Sequence, residues 1–599
     1  MPRGAGRIGW WLVWAVVFCD IGTSVYYVPG ILSRDTGDHA GFFVVATMVA
    51  FVLLCVKQVE ITRRFASGGG VVSVADDAFG PWWGCLGGQL ILVDFFLTVA
   101  ISAASGVYYI SSILDLGPFV VPATVVAVIL LAALNIIGIK ESAIVSFVLA
   151  IAAFVVDLLV IGTTLVRAPA SMWGRFIDEF ASLGELGVNH ALAGYAGAWL
   201  AFSGLESLAQ VAPAMKDLGE TPRRGMIAVV ASVLLTAPML TFLSSFSLSA
   251  EAKAAGSDHF ISELAGMWGG YGLKLAVVLT ASTLLLFAAN TAIIGSYHVQ
   301  VALTRRGFLP DALADLSRRY QTPYRAILLC TALPIVVVLA SGADMAVLGG
   351  LYAFGLLGAF VLGSVGVDVI RWREGQRGTG FWLGVLTSLA VLLAFGVNLV
   401  AKPSATVFGG SLAAVGMLTA LATRRGWFDR VIALIPGLAP PPAVESTGLT
   451  YRTVASARAL VDLSGPAGVM VASRGATLKI FREAADRARA RGLSRIFLIY
   501  VDEVPGLFYP QLTAPTGEGL KVLDAGMTMI HEVGMEAVPV WALSHSAAQS
   551  VAEAVETLHC DTVVIGATQR TFLWQALRGR FIQDLLAALP SHIRLIVVG

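Results

Sequence analysis

Three acidic residues, Asp20, Asp94 and Glu206, lie well inside long apolar runs of the sequence, away from the ends of those runs. An ionised group in the middle of a bilayer is costly unless it meets a partner or water, so each carboxylate is a candidate functional group. A fourth, Asp157, has no polar motif around it, which is more typical of a polar side chain that packs between helices. The first three could bind a cation or carry a proton.

Two of these carboxylates lie beside residues that interrupt helices. Residues 20–24 (Asp-Ile-Gly-Thr-Ser) are poor helix formers, which would let the helix unwind and turn backbone carbonyls into a cavity. Residues 203–206 (Ser-Gly-Leu-Glu) form a matching interruption. Because the interruptions fall in the first and sixth apolar runs, they predict two five-helix repeats, with a binding site at the midplane where the broken helices meet.

The third apolar run carries polar side chains at helical spacing. Asp94, Thr98 and Ser102 are separated by four residues each, which places a carboxylate and two hydroxyls along one helix face. A hydroxyl stripe of this kind can also simply join neighbouring helices, so packing is the alternative. Hard monovalent cations prefer oxygen ligands. No Lys or Arg lies in the middle of the first eight runs, so the predicted cavity is electronegative and favours cations.

The elements that must position these residues are membrane helices. The 599-residue chain has a mean hydropathy of +0.80 and 13% charged residues, whereas soluble domains carry roughly 25%. A net charge of +1 argues against nucleic acid as a partner, and the five scattered cysteines predict neither a metal site nor disulfides. Apolar runs long enough to cross a hydrocarbon core of roughly 30 Å occur at 8–33, 41–57, 85–112, 118–137, 143–166, 190–214, 226–249, 269–303, 325–341, 346–369, 380–399 and 404–422.

Connections rich in basic residues alternate with base-poor connections near Asp115, Asp258 and Asp344. By the positive-inside rule, both termini are predicted to face the cytoplasm. The first apolar run continues as a full span and lacks a small-residue cleavage site, so it is interpreted as a helix rather than a signal peptide. The basic connections contain Lys57, Arg63 and Arg64; Lys216, Arg223 and Arg224; Arg305, Arg306, Arg318 and Arg319; and Arg371, Arg373 and Arg377.

A second domain follows the membrane part. The sequence predicts a membrane domain over 1–425, a Pro-rich linker over 426–449 and a cytoplasmic domain over 450–599. In the last of these, strand-like runs alternate with helical patterns, which predicts an α/β fold with a parallel sheet. The predicted strands are Val469–Ser473, Ile496–Val501, Ala537–Ala542, Thr562–Gly566 and Ile593–Val598.

Several of these motifs resemble those of known transporters. Residues 20–24, followed by Tyr26 and Tyr27, resemble the first-helix signature of the KUP potassium transporters, especially their bacterial KimA-type relatives. Phe202–Pro222 and Leu303–Pro310 resemble the wider amino acid–polyamine–organocation superfamily. The resemblance implies a LeuT-like fold of about twelve helices and proton-coupled potassium import across a bacterial-type plasma (inner) membrane.

The resemblance also implies a cation site. Potassium would contact Asp20, Asp94, Thr98 and Glu206, and either Glu206 or Asp20 would carry the proton. Phe95 stands where the family leads us to expect a tyrosine, so one hydroxyl ligand or gate contact is absent. The full implied set is Asp20, Tyr27, Asp94, Thr98, Ser102, Ser203, Glu206 and Tyr352.

Other functions compete with potassium import. The superfamily motifs also occur in proton-coupled amino-acid or polyamine permeases, although two aspartates at the site would repel a substrate carboxylate. A transport-inactive sensor that uses the C-terminal domain is a third possibility. The eight histidines are dispersed, and neither a nucleophile-elbow motif in a suitable context nor a phosphate-binding loop motif is present, so no enzyme is predicted.

The C-terminal domain resembles the universal-stress-protein fold. Nucleotide-binding members place a Gly-rich loop after the fourth strand, and the corresponding segment here matches that loop in part. One interpretation is a regulatory site for an adenine or cyclic nucleotide that uses Thr568 with Arg570 or Arg580. The other, which we favour, is a module that has lost ligand binding and forms a homodimer.

Overall fold

The structure is a computed structural model, and it divides the chain into two units. One unit comprises Ile8–Gly138 and Ser142–Val431 and is called the membrane unit; the other comprises mainly Ile432–Gly599 and is called the α/β unit. Each is described by itself. The residues that the structure describes are 8–66, 68–138, 143–317, 320, 322–427, 451–461, 466–473, 478–503, 515, 517–544, 546–566, 581–590 and 592–598.

The membrane unit is built from helices, ten of which, among the described residues, are long and apolar enough to cross a membrane. The first of these stretches, Trp10–Arg64, has 55 residues and holds two of the predicted spans, and the interrupted segment 188–214 holds another. In chain order the helices are α1 (Trp10–Ile21), α2 (Ser24–Thr36), α3 (Ala40–Arg64), α4 (Gly70–Phe79), α5 (Pro81–Leu114), α6 (Val120–Ile137), α7 (Ala143–Arg167), α8 (Ser171–Ser182), α9 (Val188–Ala198), α10 (Ser207–Gln210), α11 (Thr221–Ser247), α12 (Ala250–Ala255), α13 (Phe260–Gly269), α14 (Tyr271–Arg305), α15 (Tyr324–Ser341), α16 (Met345–Arg373), α17 (Thr379–Ala401) and α18 (Pro403–Arg424).

Each of the twelve predicted apolar runs therefore corresponds to a helical segment, and the predicted polytopic helical fold is confirmed. The short helices α4, α8, α12 and α13 lie between these segments and are not predicted by the apolar runs. They have 6 to 12 residues, which is too few to cross a membrane. A search for long apolar runs cannot detect them for that reason.

Helix α5 forms the centre of the membrane unit. Its most apolar window is entirely buried, and it packs against α4, α14, α16 and α18. Small residues allow this crowding: a side chain at Gly88 would meet Leu303 of α14 at 3.0 Å, and one at Gly106 would meet Leu286 of the same helix at 3.4 Å. Membrane helices approach each other most closely at such small residues. Asp94 is therefore held on the most enclosed helix of the unit.

Helix α16 contacts its neighbours through a row of glycines. A Cβ atom at Gly355 would lie 2.7 Å from the backbone nitrogen of Asp94, and one at Gly366 would lie 2.6 Å from Val74 of α4. The helix begins at a side-chain cap, because Asp344 accepts hydrogen bonds from the backbone nitrogens of Ala346 and Val347 at 2.8 and 3.2 Å. The glycine face brings the backbone of α16 directly against Asp94.

The α/β unit contains a six-stranded sheet in which all neighbouring strands are parallel. The spatial order is β1-β4-β3-β2-β5-β6, and apolar clusters cover both faces of the sheet. The predicted parallel α/β fold is confirmed, and β1 at the sheet edge is an addition to the predicted strands. The strands are β1 (Arg452–Thr453), β2 (Gly468–Ala472), β3 (Arg495–Glu503), β4 (Glu536–Ser544), β5 (Cys560–Gly566) and β6 (Arg594–Val598), and the helices are α19 (Val454–Ala457), α20 (Leu478–Arg489), α21 (Gly517–Glu532), α22 (Ala547–Thr557) and α23 (Phe581–Ala588).

Candidate functional site

Two helix interruptions meet inside the membrane unit. The first separates α1 from α2 at Gly22 and Thr23, and the second separates the turn at 199–202 from α10. Gly204 in the second interruption has a φ of +95°, a conformation that glycine adopts without strain. A Cβ atom there would lie 2.6 Å from the nitrogen of Ile21 and 2.8 Å from the carboxyl carbon of Asp20. The two interruptions are therefore in direct contact.

Asp94 is the most enclosed acidic residue at this point. Its side chain is fully buried, and neither carboxylate oxygen makes a hydrogen bond of good geometry within the described residues, although the side chains of Tyr352 and Glu206 lie beside it. Asp20, Glu206 and Tyr352 lie close enough to interact with it electrostatically. Both Asp20 and Glu206 are buried as well. Acidic side chains from three separate helical segments thus converge on one buried place.

Hydroxyl groups complete the cluster. The Tyr352 hydroxyl lies 2.6 Å from Thr98 Oγ1 and is also hydrogen-bonded to Ser203. The Thr98 hydroxyl donates to the carbonyl of Asp94 at 2.9 Å, so it accepts its other hydrogen bond, from Tyr352. We call Asp20, Tyr27, Asp94, Thr98, Ser203, Glu206 and Tyr352 the acidic cluster.

Tyr27 lies near the acidic groups. Its hydroxyl is 3.2 Å from Ser24 Oγ and lies close enough to Asp20 and Asp94 to interact with them electrostatically. Ser102 is placed differently from the other implied ligands. It lies eight residues after Asp94, which is about 12 Å along a helix, and its hydroxyl has no partner within the described part of the chain.

Two further residues lie outside the cluster. Asp157 of α7 accepts a hydrogen bond from the Tyr26 hydroxyl at 3.2 Å, so it joins α7 to α2. Phe95 packs toward α14: a Cβ atom at Gly295 would lie 2.9 Å from the end of its ring. The ring of Phe95 therefore fills space between α5 and α14 and carries no hydroxyl there.

The position of Lys57 differs from the one predicted from the sequence. The sequence places it in a basic connection after the second apolar run, but α3 continues to Arg64 and Lys57 is a buried helical residue with 1% exposure. The reason is that its ammonium group is satisfied within the protein. It donates to Asp368 Oδ2 at 2.8 Å, to the carbonyl and hydroxyl of Ser364 at 3.0 and 2.8 Å, and to Ser388 Oγ at 2.8 Å.

Lys57 begins a row of three ion pairs between α3 and α16, which we call the ionic ladder. The pairs are Lys57–Asp368 at 2.8 Å, Glu60–Arg371, and Arg64–Glu374 at 2.6 Å. Their side-chain exposure increases from 2% at Lys57 to 41% at Glu374. The signal was present in the sequence, because residues of alternating charge recur on both helices at spacings of three and four.

The ammonium group of Lys57 does not lie among the three carboxylates. Its partner Ser364 is nine residues beyond Gly355, which contacts Asp94, and nine residues of helix span about 13 Å. A cavity of about 20 Å³ lies between these levels, and its lining includes Glu206, Lys57, Gln58 and Ser364. This volume is enough for about one water molecule.

Interrupted helices that meet around buried acidic groups at the centre of a helical membrane unit are characteristic of secondary transporters. The family described as amino acid permease matches residues 8–422, and the chain belongs to this family. The protein is therefore a multi-pass membrane transporter of the amino acid–polyamine–organocation superfamily.

Individual relatives differ in what their names say they transport. The chain is 26% identical over 366 residues to the potassium transporter KimA of Bacillus subtilis, which is 59% of this chain and 58% of that relative. It is 25% identical over 381 residues to the branched-chain amino acid permease BcaP of Lactococcus lactis, covering 59% of this chain and 80% of the permease. The match thus spans little more than half the length of KimA.

A solved structure is similar to part of the chain. It is the universal stress protein from Archaeoglobus fulgidus in complex with dAMP, and its sequence is 14% identical, with a TM-score of 0.18. The match covers 22% of this chain and 98% of the universal stress protein chain. The sequence predicts one possible nucleotide site, and its residues lie outside those that the structure describes: Thr568, Arg570 and Arg580.

The ionic ladder yields a stability prediction. We expect Asp368→Asn to destabilise the protein by about 3–5 kcal/mol, because it leaves the Lys57 ammonium group buried without its counter-charge. Thermal unfolding of the purified full-length protein in detergent measures this effect. The matched control is Glu374→Gln at the exposed end of the same ladder, with an expected cost below about 1 kcal/mol.

The double variant Lys57→Met with Asp368→Leu removes both charges together and should be more stable than Asp368→Asn alone, because no buried charge is left unpaired. Equal unfolding temperatures for Asp368→Asn and the wild type would contradict the assignment of a buried ion pair.

Proposed function

We propose that this protein is a proton-coupled potassium importer of a bacterial-type plasma membrane, with both termini in the cytoplasm. The observation that carries the proposal is the pair of Asp94 oxygens, which are buried, make no hydrogen bond of good geometry within the described residues and lie beside two further carboxylates and the Tyr352 hydroxyl. Such a group is stabilised by a dehydrated cation that takes the place of water. The match to a relative named as a potassium transporter supports the same cargo.

The proposed potassium ligands are carboxylate oxygens of Asp20, Asp94 and Glu206 and the hydroxyl of Thr98. Tyr352 holds the Thr98 hydroxyl in place, since the two oxygens are 2.6 Å apart. Opposite charges 4 Å apart interact by about 4 kcal/mol at an effective dielectric constant of about 20, so even one carboxylate contributes strongly. The interrupted helix ends add backbone carbonyls to the same pocket.

Of the two candidates for the proton carrier, Glu206 and Asp20, Glu206 is the better. It lines the cavity of about 20 Å³ that leads toward the ionic ladder, so one water molecule could receive its proton on that side. Asp20 instead lies against the backbone of Gly204. A proton bound at Glu206 also reduces the repulsion among the three carboxylates when potassium is absent.

The second candidate function is a proton-coupled amino-acid or polyamine permease. The family assignment and the similarity to branched-chain amino acid permeases favour it. The acidic cluster would bind the ammonium group of such a substrate. An amino acid also brings a carboxylate, however, and three acidic side chains at one place repel that group.

The acidic cluster predicts the effect of neutralising Asp94. We expect Asp94→Asn to weaken potassium uptake at least about tenfold, because the variant loses one full charge at the ion. The measurement is potassium or rubidium uptake by proteoliposomes, together with growth of a potassium-uptake-deficient strain at micromolar potassium. Asp157→Asn is the matched control, since Asp157 is also a buried carboxylate but is bonded to Tyr26 outside the cluster.

If Asp94→Asn and the wild type support equal growth while branched-chain amino acids are taken up, the potassium proposal is wrong and the permease is the correct function.

A second transport experiment tests the role of Glu206. We expect Glu206→Gln to abolish potassium uptake driven by a pH gradient, because glutamine cannot release a proton, while exchange of potassium for rubidium continues. Uptake with and without an imposed pH gradient, measured in the same vesicles, separates the two activities. If the Glu206→Gln variant retains gradient-driven uptake, Asp20 is the proton carrier instead.

For the α/β unit we propose homodimerisation rather than nucleotide binding. Its sheet has an apolar cluster on each face, so the unit has a core of its own. The segment 450–599 is therefore expected to fold when produced alone, and the proposed homodimer predicts that it self-associates in solution, which analytical ultracentrifugation at tens of micromolar measures. A stable monomer at that concentration, or specific binding of an adenine or cyclic nucleotide, would favour the alternative.

A further inference from the structure

An open groove runs along the outer surface of the membrane unit, between α3, α11 and the start of α17. Its volume is about 880 Å³, within the range of roughly 300–1,000 Å³ found for small-molecule sites. The walls are apolar and include Val56 of α3 and Ile227 and Leu234 of α11. These side chains are 39–58% exposed, so the groove faces the surroundings of the helices rather than the acidic cluster.

One end of the groove is basic. Among its lining residues, three arginines, Arg63, Arg223 and Arg371, accompany a single acidic residue, Glu60. Arg63 lies at the end of α3 and Arg223 at the start of α11, so the two helices bring their basic ends together. This end belongs to the side of the membrane unit that the sequence predicts to be cytoplasmic.

The length of the groove matches one leaflet of a bilayer. On α3 the lining runs from Val52 to Arg63, and on α11 it runs from Arg223 to Leu234. Each run advances eleven residues, which is about 16 Å along a helix. The hydrocarbon core of a bilayer is about 30 Å thick, so an apolar wall of this length accommodates one acyl chain of one leaflet.

Two of the arginines have donors to offer a ligand. Arg223 pairs with Glu220 at 3.5 Å, but both side chains are more than half exposed, and such pairs are weak. Arg63 donates to the carbonyl of Gly219, and Asp217 lies near it. Arg371 is already bonded to Glu60 within the ionic ladder. A guanidinium group has five N–H donors, so Arg63 and Arg223 can both contact a phosphate.

We propose that this groove is a binding site for an anionic phospholipid. The phosphate lies against Arg63 and Arg223, and an acyl chain lies along the apolar walls of α3 and α11. Charge complementarity at one end and leaflet-length apolar walls together fit a lipid of this class. The site is separate from the acidic cluster and does not depend on the cargo of the transporter.

The experiment compares lipids that have the same acyl chains and a phosphate but differ in the net charge of the headgroup. Full-length protein is incubated in detergent with phosphatidylglycerol or phosphatidylcholine of identical chains, and bound lipid is counted by native mass spectrometry. We expect the wild type to prefer phosphatidylglycerol. In the double variant Arg63→Gln with Arg223→Gln, the ratio of bound phosphatidylglycerol to bound phosphatidylcholine should fall about fivefold for each arginine removed.

Arg224→Gln is the matched control. Arg224 is the next residue of α11 and bonds the same Glu220 at 3.1 Å, but it does not line the groove. It should keep the preference of the wild type. A second variant, Ile227→Trp, fills the groove without changing charge and should reduce binding of both lipids.

Three results would overturn the proposal. The first is an equal loss of preference in the Arg224→Gln control and the double variant, which would indicate only general surface charge. The second is competition by inorganic phosphate at the same concentration as the lipid, which would indicate a free-anion site. The third is conversion of a dimer to a monomer by the double variant with unchanged lipid binding, which would make the groove an interface between two copies.

Discussion

The cost of holding acidic side chains away from water constrains the membrane unit more than any other interaction. Asp94 is on the most enclosed helix, and its two oxygens make no hydrogen bond of good geometry in the described part of the chain. Glycines in the neighbouring segments allow two other parts of the chain to approach the acidic side chains closely. Gly204 lets the second interruption reach Asp20, and Gly355 lets α16 reach the backbone of Asp94. The hydroxyls of Thr98 and Ser203 are both hydrogen-bonded to that of Tyr352, and none of the three supplies a positive charge.

Buried charges in the membrane unit occur in two opposite arrangements. In the ionic ladder, Lys57 is surrounded by Asp368, Ser364 and Ser388, so each donor of its ammonium group is used. In the acidic cluster, by contrast, negative charges are gathered together, which is stable only when a cation or proton is present. A satisfied ion pair is suited to holding helices together, whereas an unsatisfied group is suited to binding an exchangeable ion. The two arrangements are about 13 Å apart along α16, and the small cavity lined by Glu206 and Lys57 lies between them.

The sequence predicted the elements of the fold well because length, hydropathy and helix-breaking residues are local signals. The interruptions at 20–24 and 203–206 occur where poor helix formers predict them. Long-range pairing is harder to predict: Lys57 and Asp368 are 311 residues apart, so the sequence alone indicates only a topology signal for a lysine near the end of an apolar run. Ser102 shares a helix face with Asp94, but a face continues beyond the neighbours that form a cluster. The position of Phe95 depends on Gly295 of α14, which no local pattern relates to it.

The glycine row of α16 also bears on how the helix can move. Most packed helices interlock their side chains, and relative displacement requires those side chains to leave one set of holes and enter another. At Gly355 and Gly366 there is no side chain to withdraw, because backbone meets the neighbouring helices directly. A surface of this kind permits sliding or pivoting without rotamer changes. Resistance to displacement of α16 then comes from its side-chain bonds, those of Tyr352 to Thr98 and Ser203 and those of the ionic ladder.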